Sequence, residues 1–333
     1  MNTKQWLEEQ LKNPRKRSMP ILSFPAISLM GVSVKELIAS PDLQARGMGM
    51  IAERCPTLAA VSMMDLSVEA EAFGAEIRVS DDEVPTVTGR LLVTPEDANA
   101  LQVPLVTAGR TGLYVRAIEQ ALTLITDRPV FAGVIGPFSL AGRLMDMTEI
   151  MVNCYVEPEM VETTLEKTTA FLTAYIKEYK RIGAHGVIMA EPAAGLLSPE
   201  LTEAFSSRFV KQIVEEVRDD SFAFIYHNCG NTIPLLDAIL PIGADAYHFG
   251  NAVDIAKVLE LMPPDTPVAG NIDPSSIFRH GTPATVREAT LALLKTCGKH
   301  PNFLISSGCD IPPLTPWENI DAHFAAVSEF YGA

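Results

Sequence analysis

FAFIYHNCGN, at residues 222–231, joins an unbroken apolar run to a polar end that contains a glycine. A strand buried on both faces gives such a continuous apolar run, whereas a strand with one face in water alternates. Parallel α/β barrels place their functional residues just beyond the carboxyl ends of the strands, where the loops converge. The stretch therefore predicts a buried parallel strand that leads directly into a functional site.

Similar apolar runs recur along the chain and are separated by helical stretches, which is the alternation expected of a parallel sheet. They predict eight strands, at Pro20–Phe24, Ala59–Met64, Pro129–Ile135, Gly186–Ala190, Phe222–Tyr226, Ala244–Phe249, Pro267–Ala269 and Phe303–Ser306. We expect an α/β fold, a single (β/α)8 TIM barrel over residues 20–333, preceded by an N-terminal helical arm at residues 1–19.

One segment departs from this alternation. EIRVSDDEVPTVTGRLLV, at residues 76–93, has the alternating pattern of an antiparallel hairpin. It follows the second predicted strand, so we expect a hairpin insertion after strand 2 that lies over the mouth of the barrel.

Composition argues against several classes of protein. The formal net charge of −15 argues against a nucleic-acid partner, because phosphate contacts need clustered Lys and Arg. No apolar run reaches the roughly 18–20 residues of a membrane span, and residues 1–19 lack the apolar segment of a signal peptide. Five cysteines, an odd number, fit thiols or metal ligands in a reducing compartment better than disulfides. We therefore expect a cytoplasmic protein without a membrane partner.

Polar residues cluster where the predicted strands end. If the strands form a barrel, these residues meet in one cleft although they are remote in sequence. They are Asp65, Glu191, His227 with Cys229, His248, Asn271 with Asp273, and Cys309.

His227, Cys229 and Cys309 combine the ligand chemistry of a zinc site. Catalytic zinc is held by three protein ligands, among which Cys sulfur and His nitrogen are common, and keeps one position open. The alternative is a core histidine and small buried thiols, the usual state of an isolated His or Cys. The convergence of an H-x-C element and a distant Cys favours zinc. The same alternative is favoured for the remaining cysteines, Cys55, Cys154 and Cys297.

Five motifs resemble the uroporphyrinogen decarboxylase superfamily, and within it the zinc-dependent corrinoid:coenzyme M methyltransferases. The resemblance covers nearly the whole chain. It rests on MMDLSVEAEAFGAEI at 63–77, IGPFSLAGRLM at 135–145, YHNCGN at 226–231, AGNIDP at 269–274 and SSGCDIPPLTPWENIDA at 306–322.

The resemblance implies that His227, Cys229 and Cys309 bind zinc, as the matching residues do in those methyltransferases. It implies transfer of a methyl group from a methylated corrinoid of the methylcobalamin type to a zinc-bound small thiol such as coenzyme M. The donor would be a separate corrinoid protein carrying methyl-Co(III). The decarboxylases lack this zinc set and have an R-Q-A-G-R element, whereas the first predicted strand here reads ILSFPAIS.

Two other functions stay open. One is a decarboxylase-like lyase on the same fold, and the other is a non-catalytic protein that binds zinc or a corrinoid, since fold alone does not decide function. Metal content and a methyl-transfer assay separate the three.

Further residues of the cleft are assigned provisional roles. Glu191 is predicted to be a partner of the zinc ligands or a temporary fourth ligand, and the alternative is a helix cap or a salt bridge. His248 is a second candidate fourth ligand, and Asp65 is a candidate polar wall. These three are the predicted catalytic residues beyond the metal ligands. Asp273 has a competing interpretation as the side chain of an Asx turn. The predicted substrate-binding residues are Phe24, Asn251, Asn271 and Asp273.

Overall fold

The computed structural model describes residues 1–332 and has an α/β architecture built on a curled parallel sheet of seven strands. In the sheet the strands are ordered β1-β4-β5-β6-β7-β8-β9, and β2 pairs with β3 separately. The strands are β1 (Ala60–Val61), β2 (Glu76–Arg78), β3 (Thr86–Thr88), β4 (Val130–Ile135), β5 (Gly186–Ala190), β6 (Ala223–Asn228), β7 (Ala246–Phe249), β8 (Val268–Ile272) and β9 (Phe303–Ser307).

Helices separate most of the parallel strands. Within residues 1–332 none of them is long and apolar enough to cross a membrane. The helices are α1 (Thr3–Lys12), α2 (Ala26–Met30), α3 (Val34–Ala39), α4 (Pro41–Arg54), α5 (Val68–Ala72), α6 (Pro95–Ala100), α7 (Thr111–Leu124), α8 (Pro137–Met145), α9 (Met147–Val156), α10 (Pro158–Arg181), α11 (Pro199–Thr202), α12 (Arg208–Val217), α13 (Leu236–Ile239), α14 (Ile255–Leu261), α15 (Pro283–Cys297) and α16 (Trp317–Tyr331).

The unbroken apolar runs are strands that are buried along their whole length. Every residue of β4, β5, β6, β7 and β9 is buried, which explains why these strands do not alternate in sequence. The parallel order brings the carboxyl ends of all seven strands to one edge of the curled sheet.

The predicted first strand, Pro20–Phe24, is wrong. The chain at 18–21 is extended between β1 and β9, but it makes only isolated backbone bonds. Leu58 N donates to the Ser18 carbonyl at 2.7 Å, Met19 N to the Ile305 carbonyl at 2.9 Å, and Ile311 N to the Ile21 carbonyl at 2.9 Å. Pro20 has no N–H to continue a ladder, and Phe24 already begins a turn into α2. The sheet therefore has seven paired strands where eight were predicted.

The segment at 76–93 contains the two strands of an antiparallel pair. β2 and β3 pair with Glu76 opposite Thr88 and Arg78 opposite Thr86. They follow β1 and α5 in the chain. The further expectation, that this segment covers the mouth of a barrel, stays a prediction.

Helix α1 packs across the end of the sheet opposite to the polar strand ends. Trp6 is only 9% exposed and its ring lies 5.9 Å from that of Phe131, near the start of β4. Trp6 and Leu7 belong to an apolar cluster with inward side chains such as Ile188 and Ile225. The N-terminal helix is therefore part of the packed core at the amino end of the strands.

This packing predicts that Trp6→Ala destabilises the protein without disturbing the polar end. Removing a large buried aromatic costs about 3 kcal/mol or more, and we expect a melting temperature lower by about 6 °C. Leu105→Ala is the control, because Leu105 is 78% exposed. Thermal melting followed by circular dichroism checks this, and equal melting temperatures for the two variants would contradict the assigned packing.

Candidate metal centre

His227, Cys229 and Cys309 come together at the carboxyl edge of the sheet. His227 lies in β6, Cys229 in the loop after it, and Cys309 in the loop after β9. One ligand atom from each residue lies within 4.8 Å of the other two. Two sulfur ligands at 2.3 Å from a tetrahedral zinc ion are separated by about 3.8 Å, so the cluster matches the size of such a site.

The Nε2 atom of His227 is buried and has no hydrogen-bond partner. A polar atom is rarely left in this state, because removing it from water costs free energy unless another bond replaces the lost one. A metal ion bound by Nε2 and the two neighbouring sulfurs would supply that bond. The residues present therefore fit a zinc ion.

A hydrogen-bond chain fixes which nitrogen of His227 carries the proton. Ser306 Oγ donates to the Met19 carbonyl at 2.7 Å, so it accepts a proton from His248 Nε2 at 2.8 Å. His248 Nδ1 then has no proton and accepts from His227 Nδ1–H at 2.8 Å. Nε2 of His227 is left with a free lone pair, which is the form that binds a metal.

His248 has no nitrogen to spare for a metal. Both ring nitrogens are used in the chain to His227 and Ser306, and burial lowers the pKa of His248 well below its usual value, so the ring stays neutral. The geometry gives His248 a positioning role in place of the predicted role of fourth ligand.

The two cysteines of the cluster differ in acidity. A hydrogen bond from the Cys309 thiol, together with the nearby His227 ring, lowers the pKa of Cys229. The same contact raises the pKa of Cys309, because a second negative charge beside the first is unfavourable. A bound cation would favour the thiolate form of both.

The other cysteines lie outside the cluster and are buried. Burial raises the pKa of Cys55 to about 12 and the pKa values of Cys154 and Cys297 to about 11 each. In the folded protein they are therefore protonated, and they lie apart from the His/Cys/Cys cluster, in line with the alternative favoured for them from the sequence.

Two glycines allow the site loops to approach one another. A Cβ atom on Gly250 would lie 2.7 Å from the Cβ of Cys229, and one on Gly308 would lie 2.8 Å from Oδ1 of Asn251. Both distances are shorter than carbon and oxygen atoms tolerate. The loops after β6, β7 and β9 can therefore meet only because side chains are absent at these positions.

Glu191 caps a helix. Its Oε1 accepts hydrogen bonds from Phe138 N at 2.8 Å and Ser206 Oγ at 3.1 Å, and its Oε2 accepts from Ser139 N at 3.0 Å. These amides belong to the first turn of α8, where a carboxylate is favoured. Burial raises the pKa of Glu191 to about 7. Of the roles considered for Glu191, these contacts match the helix cap of α8.

Asp65 is fully buried in an ion pair. Its Oδ2 is paired with Arg110 and accepts from the Tyr114 hydroxyl at 2.7 Å, and its Oδ1 accepts from Ser67 Oγ at 2.5 Å. Every oxygen of the carboxylate is therefore engaged. The side chain holds α7 against the loop after β1. The predicted role of Asp65 as a polar wall of the site stays a prediction.

Phe24 and Asn271, predicted to bind substrate, have structural contacts. Phe24 has no exposed surface and packs in an apolar cluster with Met63. The amide of Asn271 donates to the carbonyls of Gly250 and Val253 at 2.9 Å each. Asn271 therefore holds the loop that carries Gly250 against Cys229, whereas Phe24 is enclosed in its apolar cluster.

Asp273 and Asn251 lie in loops at the same edge. Asp273 Oδ1 accepts from Ser275 N and Ser276 N at 2.8 Å each, which is the Asx turn of the alternative interpretation. Asn251 is exposed and touches Gly308, next to Cys309. Of the four predicted substrate-binding residues, Asn251 is the one left with an exposed side chain beside the cluster.

A cavity of about 230 Å³ opens beside Cys229. Arg143, in α8, is the only cationic side chain that lines it. Arg143 was not among the predicted site residues, although a lone arginine in the apolar stretch IGPFSLAGRLM is a visible signal. The lining residues are Leu66, Ile135, Ser139, Arg143, Met147, Pro192, Ala193, Leu196, Cys229 and Gly230.

Two further polar residues of the edge were also missed. Ser306 completes the histidine chain from the last residues of β9. Asp310 follows Cys309 directly; its Oδ2 accepts from Met64 N at 3.0 Å, its Oδ1 is buried without a partner, and burial raises its pKa to about 8. Adjacency to a predicted ligand was the available signal for Asp310.

The fold and the cluster together define an α/β protein whose parallel strands converge on a His/Cys/Cys site suited to a metal ion. The family described as uroporphyrinogen decarboxylase (URO-D) matches residues 21–330, and the chain belongs to this family. The resemblance inferred from the five motifs is thereby confirmed.

Individual relatives fall into two groups of enzymes. The chain is 27% identical over 323 residues to the methylcobamide:CoM methyltransferase MtbA of Methanosarcina acetivorans, covering 91% of this chain and 92% of the relative. It is 26% identical over 308 residues to a uroporphyrinogen decarboxylase of Coxiella burnetii, covering 87% and 82%. A solved methyltransferase from Methanosarcina mazei shares the fold, with a TM-score of 0.86, 24% identity, and coverage of 99% and 98%. The identities to the methyltransferase and to the decarboxylase are nearly equal, so they do not decide between the two activities. The residues of the site have to decide.

The cluster predicts about one zinc ion per chain. We expect His227→Ala, Cys229→Ala and Cys309→Ala each to lower the zinc content of the purified protein, because each removes one of three ligands. Cys55→Ala is the matched control and should retain the metal. Elemental analysis checks this, and full zinc in Cys309→Ala would rule out the ligand set.

The histidine chain predicts a graded effect at His248. Loss of a group that orients a metal-bound histidine lowers affinity by about tenfold or more, so His248→Ala should weaken zinc binding by that amount. His248→Asn should lie nearer to the unmodified protein, because its amide oxygen can accept the proton of His227 Nδ1. Competition with a chromophoric chelator gives the affinities, and three equal values would show that the chain has no orienting role.

Proposed function

We propose that this protein is a zinc-dependent methyltransferase that moves a methyl group from a methylated corrinoid to a small thiol. His227, Cys229 and Cys309 would hold the metal. The observation that carries the proposal is the buried Nε2 of His227, which has no hydrogen-bond partner although the residue clusters with two thiols. This cluster lies at the edge where a parallel sheet gathers its functional residues.

The ligand set suits a thiol acceptor. When bound there, zinc would hold the acceptor sulfur as a thiolate at neutral pH, where a free thiol is mostly protonated. Two cysteine thiolates and a neutral imidazole balance the charge of a divalent ion. They therefore leave the added sulfur electron-rich and nucleophilic.

The chain's own residues orient and enclose the acceptor. The chain from Ser306 through His248 fixes the ring of His227, and the glycine-lined loops keep Cys229 and Cys309 adjacent. The cavity beside Cys229, about 230 Å³, lies below the roughly 300–1,000 Å³ of pockets that enclose larger ligands. It suits a small thiol, whereas a corrinoid would approach from the open side, carried by its own protein.

The proposed reaction is a simple displacement. The acceptor sulfur forms a bond to the methyl carbon as the carbon–cobalt bond breaks. The electron pair of that bond stays with cobalt, so that methyl-Co(III) leaves as Co(I), and the proton of the thiol passes to solvent. No further oxidant or reductant is needed.

The relatives support this function over decarboxylation only in combination with the site. The relative from Methanosarcina acetivorans is named for transfer between a methylcobamide and CoM. A porphyrinogen with several carboxylates would need several cations, whereas the cavity beside Cys229 has Arg143 alone. A non-catalytic zinc protein would bind metal and partner without turnover.

We expect the zinc-loaded protein to demethylate methylcobalamin when a small thiol is present. The absorption of the corrinoid under anaerobic conditions reports formation of Co(I). His227→Ala should react far more slowly, because it loses a metal ligand, and Cys297→Ala is the control, since Cys297 lies outside the cluster.

Two results would contradict the proposed methyltransferase activity. If free methylcobalamin and several methylated corrinoid proteins all stay unreacted with zinc-loaded protein and a range of thiols, the methyltransferase proposal fails. Release of CO2 from a porphyrinogen by the same preparation would identify the protein as a decarboxylase.

A further inference from the structure

The segment at residues 16–21 runs beside β9 without pairing as a strand, and hydroxyl groups supply some of the bonds that a ladder would make. Ser18 Oγ donates to the Ile305 carbonyl at 3.1 Å. Ser306 Oγ donates to the Met19 carbonyl at 2.7 Å. The attachment of this segment is therefore separate from the continuous ladder of the sheet.

Lys16 anchors the start of the segment. It is only 8% exposed, and its ammonium donates to the carbonyls of His300 at 3.2 Å, Phe303 at 2.9 Å, and Pro301. An ammonium group has three protons, so this set of acceptors uses all of them. The three carbonyls lie at the start of β9 or just before it. Lys16 therefore fixes the segment against the strand that carries Ser306.

The direction of the hydrogen-bond chain to His227 depends on the Met19 carbonyl. A carbonyl oxygen can only accept, so the Ser306 hydroxyl has to donate to it. The proton between Ser306 and His248 then belongs to His248 Nε2, and the proton between the two rings belongs to His227 Nδ1. Nε2 of His227 is thereby left free for a metal.

Without the Met19 carbonyl the same atoms admit the opposite direction. The Ser306 hydroxyl would donate to His248 Nε2, His248 Nδ1–H would donate to His227 Nδ1, and the proton of His227 would lie on Nε2. A protonated Nε2 has no lone pair for a metal. The His248 carbonyl, 3.2 Å from His227 Nδ1, favours the first direction in both cases. Detachment of the segment therefore weakens the metal site without abolishing it.

We propose that Lys16 is a positioning residue of the metal centre, and that docking of residues 16–21 against β9 and zinc binding at His227 strengthen each other. The coupling runs from Lys16 through the Met19 carbonyl to the histidine chain. It rests on the metal site of the proposed function but not on methyl transfer. Because coupling between two equilibria is reciprocal, zinc tightens the docking of the segment by the same factor by which docking tightens zinc binding.

Zinc affinities of single and double variants test the route of this coupling. Ser306→Ala interrupts the chain and should weaken zinc binding by about tenfold, and Lys16→Met, which acts at one more remove, by about threefold to tenfold. In the double variant Lys16→Met should cost no further affinity, because its effect passes through Ser306. A merely structural role of Lys16 predicts losses that add instead. Competition with a chromophoric chelator gives the affinities.

Lys12→Met is the matched control, because Lys12 is an exposed lysine of the same N-terminal arm. It should retain the zinc affinity of the unmodified protein. All variants are compared as full-length protein, with folding checked by circular dichroism. Equal zinc affinities for Lys16→Met and Lys12→Met, or additive losses in the double variant, would overturn the coupling.

Hydrogen exchange of the unmodified protein gives a second test that needs no variant. The amides of Met19 and Leu58 donate to carbonyls that tie the segment to the sheet, so their exchange reports its attachment. Adding zinc to the metal-free protein should slow their exchange by about the factor that Lys16→Met loses in zinc affinity. The bonded amide of Phe222, just before β6, is the control and should be unaffected. Unchanged exchange at Met19 and Leu58 would contradict the coupling.

Two outcomes separate this inference from the proposed function. Coupling between zinc and the segment in a protein that demethylates no corrinoid would leave the inference in place while the methyltransferase proposal fails. Methyl transfer by a protein whose zinc affinity does not depend on Lys16 or Ser306 would overturn the inference alone.

Discussion

The parallel register between β6 and β7 is the constraint on which the site depends. It sets His227 directly opposite His248. The next pairs along the sheet place Ala269 of β8 and Leu304 of β9 at this level, so Ser306 lies two residues further toward the carboxyl end of β9. Because His227, His248 and Ser306 lie on fully buried strands, the distances between their side chains are set by the ladder and not by flexible loops. The histidine chain exists only in this register, since a slip by one residue would turn each side chain to the other face.

The orientation of His227 follows from hydrogen bonds that start far from the cluster. The chain begins at the carbonyl of Met19, in the extended segment that bridges the two edges of the sheet, and passes through Ser306 and His248. The segment at 18–21, which does not form a strand, thus contributes the Met19 carbonyl as a hydrogen-bond acceptor. Through Ser306 and His248 this acceptor determines the tautomer of His227. Its backbone, fixed by bonds to Leu58 and Ile305, is part of the site's support.

Asp65 and Glu191 make structural contacts at this edge, whereas Arg143 has no structural partner. Asp65 is saturated by Arg110, Tyr114 and Ser67, and Glu191 by the first amides of α8. Those contacts neutralise buried charge within the protein. Arg143 lacks such a contact. The cavity beside Cys229 therefore holds one cysteine thiol and an unpaired cation in a small and largely apolar space.

The sequence by itself determined the strands and the grouping of His227, Cys229 and Cys309. Continuous apolar runs predicted the seven parallel strands because burial on both faces leaves that pattern, and residues after such strands must meet wherever the sheet curls. This rule placed His227, Cys229 and Cys309 together. It failed at Pro20–Phe24, because a short apolar run does not reveal that a proline interrupts the ladder.

Only the tertiary structure decided what the remaining side chains contact. The partner of Asp65 is Arg110, and the acceptor for Ser306 lies in the N-terminal segment, so neither pairing can be found from local pattern. Arg143 was not predicted for the opposite reason. Its lack of a hydrogen-bond partner or counter-ion can be seen only in the folded chain. Hydrogen-bond partners and buried charges depend on distances between remote segments, and those distances exist only once the chain is folded.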